Sequence, residues 1–150
     1  MNRSRYVVMA LIVGFVLWRW IWSGPTPTAE MNAWVQKYEL SDTRLLNHDI
    51  YAVNNASLSS TVGQTIRLCE RGLKDVNSVM THPLPPNTQM KTLYVKALKA
   101  RRLAYFDCVS AIELASPSLV NQAIAASNVA NSYSRDFNRL GIKMGFSMTK

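Results

Sequence analysis

Several residue types that build common active sites are scarce here. Two His and two Cys occur in 150 residues. The cysteines form neither C-x-x-C nor any zinc-type spacing, which removes thioredoxin-like and structural-zinc chemistry. His48 and His82 lie in no H-E-x-x-H array. A nucleophile elbow, a Walker loop and a G-x-G-x-x-G turn are all missing. Gly and Pro, six each, are too few for a fibrous or low-complexity chain. Nine Asp and Glu stand against 17 Lys and Arg, leaving a net charge of +8. At 17% charged and 48% hydrophobic, the chain is too apolar to stay disordered, and part of it avoids water. Its length suits one domain with a modest core.

Long apolar runs are confined to the start. Residues 6–17 are unbroken apolar sequence, followed by Trp18, Arg19, Trp20, Ile21 and Trp22. Residues 6–22 make about 25 Å of helix, at the short end of what spans a bilayer core. Trp18, Trp20 and Trp22 suit an interfacial aromatic belt, and Arg19 can snorkel outward. The competing reading is a cleaved signal peptide, since Arg3 and Arg5 make a good n-region. Cleavage wants small residues after the apolar run, and Trp-Ile-Trp-Ser-Gly-Pro stands there instead. Positive charge ahead of the span favours a cytoplasmic amino terminus and an extracytoplasmic (periplasmic) body in the inner, or plasma, membrane. The expected organisation is a cytoplasmic end over 1–5, a transmembrane signal-anchor over 6–23 and a linker over 24–29. A helical bundle over 30–143 and a flexible tail over 144–150 follow.

The body reads as all-α. Leu58, Val62, Ile66, Cys69, Leu73, Val76 and Met80 recur at steps of three and four, tracing one helix face. The simplest reading is a long first helix over about 28–81, kinked near 41 where Asp42 can act as a fresh N-cap. Pro83, Leu84, Pro85 and Pro86 then break the chain, and Asn87 or Thr88 caps the next helix. Ser116 and Pro117 stop that helix and start a last one, as cap and first helical residue. The result is an antiparallel three-helix bundle behind a membrane helix.

Cys69 and Cys108 lie beyond the span, where an oxidising compartment would join them; two buried thiols are the alternative. A tight hairpin centred near residue 84 would set Cys69 opposite residue 100. Bridging to 108 therefore needs residues 82–87 extended, to make up about 12 Å of axis.

Lys91, Lys96, Lys99, Arg101 and Arg102 form a basic run with no acid between Asp75 and Asp107. These five are the candidate partner-binding residues, for an acidic protein surface or anionic headgroups; a solvated face is the plain alternative. Nucleic acid is not expected behind a membrane anchor. His48 reads as a partly exposed helix residue, and His82 as a cation at a helix end. Glu70 with Lys74 and Arg71 with Asp75 read as solvated pairs.

The expected function is therefore non-enzymatic: a bitopic protein whose bundle binds another envelope protein. It would act as an accessory subunit, an inhibitor, or an immunity, exclusion or lysis factor. The bilayer, a second membrane or periplasmic protein and a possible homo-oligomer are the partners; no cofactor or metal is implied. The architecture alone resembles phage inner-membrane lysis proteins of the spanin type, although the proline-broken bundle departs from a continuous coiled coil. A small-ligand-sensing bundle and a membrane-tethered chaperone for an exported client are the alternatives.

Overall fold

Residues 27–59 and 61–146 are described by the computed structural model, and every regular element among them is helical. The expected membrane segment, with Trp18, Arg19, Trp20 and Trp22, lies outside the described residues. No described helix is long and apolar enough to cross a membrane.

Helix α1 (Pro27–Trp34) passes through a widened π-helical turn (Val35–Glu39) into α2 (Leu40–Ser59). Trp34 (φ −63°, ψ −47°) and Leu40 (φ −64°, ψ −38°) keep helical dihedrals, so the rod is continuous. The kink expected near residue 41 is thus this wide turn, and Asp42 caps nothing. The extra residue in the turn lets Trp34 and Val35, neighbours in sequence, both face inward.

The expected helix over 28–81 is two helices. Thr61 leaves helical space (φ −65°, ψ 151°), and α3 restarts as Val62–Val79. The Thr61 amide donates to Gln64 Oε1 at 3.3 Å, one half of the capping box. Serine and threonine compete for backbone hydrogen bonds outside helices, so the Ser59-Ser60-Thr61 stretch outweighs the apolar step from Leu58 to Val62. Among the described residues the bundle accordingly has four helical rods, not three. Helices α4 (Thr88–Glu113) and α5 (Pro117–Lys143) complete it.

Caps fall where expected on these two. Asn87 accepts from the Met90 amide at 3.0 Å, and Ser116 from the Leu119 amide at 3.5 Å, with Pro117 in the first turn. The turn between them closes through Ala115, a non-glycine at φ 47°. Of the tail expected to be flexible over 144–150, residues 144–146 fold back in a turn, and 147–150 lie outside the described residues. Gly145, at φ 80°, reverses the backbone. The Phe146 amide donates back to Gly141 O at 2.9 Å, the Schellman closure. Phe146 then buries its ring in the core.

Neighbours in sequence pack as neighbours in space: α2 on α3, α3 on α4, α4 on α5. Cys69 and Cys108 form a disulfide across α3 and α4, with Cα atoms 6.1 Å apart. Residues 83–85 carry no regular structure and have bends on either side, at 82 and at 86–87. At Gly72 a Cβ would run into the Tyr105 ring, which is why α3 can lie so close to α4 there.

The main core sits at one end, where Met31, Trp34 and Val35 meet Val76, Met90, Tyr94, Phe137 and Phe146. Trp34 packs edge-on to Tyr94, with centroids 5.1 Å apart, and its indole N–H donates to Pro83 O at 2.6 Å. Fully buried side chains of this kind contribute roughly 1.5–3 kcal/mol each. The fourth seam is different. No Cα of α2 comes within 8 Å of one in α5, and the space between them holds two cavities.

Candidate functional site

The basic run of α4 divides when its helix is placed. Lys91, Lys96, Lys99 and Arg102 are exposed. Arg101, expected among the partner-facing cations, is only 8% exposed and points into the bundle. Packing explains the correction: α4 touches α3 on one side and α5 on the other, so its buried arc is wide enough to include position 101. Lys96 sits over the Tyr133 ring at 5.5 Å, and Arg102 Nε donates to Asn77 Oδ1 at 2.8 Å. Leu103 and Phe106 share this outer surface, 52% and 55% exposed. Cations and large apolar groups therefore stand side by side in water.

Three carboxylates are buried on the inner face of the first rod. Met31, Val35, Glu39, Asp42, Leu46 and Asp49 are all buried, at steps of three and four that trace one helix face. Asp42 accepts from Tyr94 Oη at 2.9 Å and faces His82 Nδ1 at 3.0 Å. This ties α2 to α4 and to the linker before it. Burial, with Asp42 alongside, pushes the Tyr94 phenol well above its ordinary range. Glu39 Oε1 accepts from Thr43 Oγ1 at 2.8 Å, while its Oε2 is buried without a partner. Burial pushes that carboxyl up. Asp49 accepts from Arg71 Nε at 3.1 Å. Burial, and then Asp75 nearby, raise the Asp49 carboxyl, against the opposing pull of Arg71.

His82 stands just past the end of α3, as expected, and there also faces Asp42. Arg71 reaches α2 instead of pairing within its own helix with Asp75. His48 is exposed, its side chain at 67%, as expected. The signal that could have found the cluster is in the sequence: acids at 39, 42 and 49 occupy the apolar register begun by Met31 and Val35.

Between α2 and α5, Arg101 borders both cavities. The smaller, about 300 Å³, is lined by polar groups including Glu39, Thr43, Asn47, Asn131 and Ser134. The larger, about 530 Å³, is lined mainly by Ile50, Val53, Tyr105, Ile112, Val120 and Ile124. Arg101 Nε and Tyr105 Oη are buried with no hydrogen-bond partner. No carboxylate forms an ion pair with Arg101 among the described residues. Burial pushes its guanidinium below the ordinary range.

The chain matches no family model, no curated protein and no solved structure.

Proposed function

We propose that this is a non-enzymatic, membrane-anchored protein whose extracytoplasmic bundle docks onto an acidic surface of another envelope protein. The roles open to it are accessory subunit, inhibitor, and immunity, exclusion or lysis factor. The observation that carries the reading is the outer face of α4, where Lys99 and Arg102 lie exposed one turn from Leu103 and Phe106, with Lys91 exposed further along the same helix. Apolar side chains left in water beside unneutralised cations fit a partner that buries the one and neutralises the other. The anchor rests on residues 6–22 and the positive charge before them. Export is consistent with the disulfide, since such bonds persist in oxidising compartments.

The test places a photo-crosslinking amino acid at Phe106 of the full chain in its native membrane. Crosslinks to one envelope protein, at an acidic segment of it, are expected. Lys91→Glu, Lys99→Glu and Arg102→Glu together should weaken that crosslink about tenfold at low salt and less at moderate salt, because screening shrinks exposed electrostatics. Crosslinks to lipid alone, or a yield unchanged by the reversal in a folded protein, would refute the reading.

A further inference from the structure

We propose that the seam between α2 and α5 is a binding site for an amphipathic organic monoanion, a carboxylate headed for Arg101 with its apolar chain in the larger cavity. The inference is independent of the docking face on α4, which points the other way.

Four observations converge on it. Among the described residues Arg101 is the one charged residue lining the larger cavity, and it stands where that cavity meets the polar one. It has no counter-ion among the described residues. A buried, unpaired cation is costly unless something supplies the opposite charge. Tyr105, one helical turn along α4 on the same face, adds a second unpartnered group.

The polarity of the seam has a direction. Going along the first rod, Glu39, Thr43 and Asn47 give way to Ile50 and Val53. Along α5, which runs the opposite way, Asn138, Ser134 and Asn131 give way to Ile124 and Val120. Both walls thus pass from mixed polarity at the Trp34 end, where Leu46 and Phe137 stand among the polar groups, to mainly apolar at the other, where polar residues such as Thr65 and Asn128 are the minority. Ile124 and Val120 are about half exposed, so the apolar half has an open mouth.

Charge and size narrow the ligand class. Arg101 offers one unpaired guanidinium, which sets the ligand's charge at one, and Glu39 and Asp42, which also line the polar cavity, would repel a second negative charge. A carboxylate matches the planar guanidinium fork. From Arg101 to Ile112 the cavity follows about 16 Å of helix axis, room for an acyl chain of about ten carbons in a pocket of ordinary ligand-binding volume.

The test uses the full chain in lipid nanodiscs and a photoreactive decanoic acid, with labelled peptides mapped by mass spectrometry. Label is expected on seam residues of α2, α4 and α5. Unmodified decanoate should displace it; decanol, which lacks the charge, and acetate, which lacks the tail, should not. Arg101→Gln should cut labelling about tenfold, the loss of one charge-assisted pair. Ile124→Glu provides a second variant at an exposed position, setting a negative charge at the mouth, and should reduce labelling in a protein that keeps its helicity and disulfide. If Arg101→Gln fails to fold, Ile124→Glu decides. Label confined to the outer face of α4 or to lipid-facing residues would overturn the proposal. So would equal displacement by decanol, or undiminished labelling of the folded variants.

Discussion

At the end where Trp34, Tyr94 and Phe137 meet, all the helical rods share one core, closed further by Phe146 from the chain end. At the other end the same rods leave about 530 Å³ between Val53, Ile112 and Ile124. The residue types differ little; the number of aromatic side chains does. Trp34, Tyr94, Phe137 and Phe146 span the closed end, whereas among the described residues only Tyr105 contributes a ring to the large cavity. Small and branched residues on α5, such as Ala123 and Ser127, cannot reach α2. A bundle with one well-packed end holds its fold there and leaves its other end free to take a ligand.

The largest effect should come from the closed end. Trp34→Ala removes a buried ring and the hydrogen bond to Pro83, and should cost about 3–5 kcal/mol. Ile124→Ala at the open end should cost less than about 1 kcal/mol, since that side chain is already wet. Urea unfolding of the two variants measures the contrast. Near-equal losses would mean that the open end is packed more tightly than its cavity implies.

Next is the disulfide. Cys69→Ala with Cys108→Ala opens a loop spanning 39 residues and should cost about 3–4 kcal/mol by chain entropy. Hydrogen exchange should show the loss of protection first around Ile66 and Ile112, while amides near Trp34 and Tyr94 stay slow. Uniform loss would show one cooperative unit rather than two ends of different stability.

Glu39 gives a pH-dependent effect. Its carboxyl is raised above the ordinary 4.5 by burial, so the folded chain holds this proton more firmly than the unfolded one. Stability from this group is therefore present below pH 4.5 and is lost as pH rises through the folded value. Glu39→Gln should be more stable than the parent by about 1 kcal/mol near pH 7. The gain should vanish below about pH 4.5, where both side chains are neutral. Thermal melts across pH 4–8 check the sign.

The smallest effect belongs to the turn at Ala115. Its φ of 47° is a left-handed conformation that costs a residue bearing a Cβ about 1 kcal/mol. Ala115→Gly should recover about 0.5–1 kcal/mol and raise the melting temperature by a few degrees. Unchanged stability would place the strain elsewhere in the turn.

Much of this bundle could be read in advance from local chemistry. The proline break at 83–86, the caps at Asn87 and Ser116, and the pairing of Cys69 with Cys108 all follow from residue type, periodicity and reach. These are properties of short segments, and they survive whatever surrounds them. The break at Thr61 was hidden, because an apolar pattern that continues across a break looks the same as one helix. The side of α4 on which Arg101 falls was hidden too. Adjacent residues on a helix point about 100° apart, so the difference between exposed Arg102 and buried Arg101 depends on how many neighbours α4 has. Glu39, Asp42 and Asp49 stood in the apolar register from the start, and Thr43 lies one turn from Glu39, yet the partners His82, Tyr94 and Arg71 became specific only once the rods were stacked. Pairing across rods is a relation between segments distant in sequence, and no local pattern of charge or hydropathy encodes which group meets which.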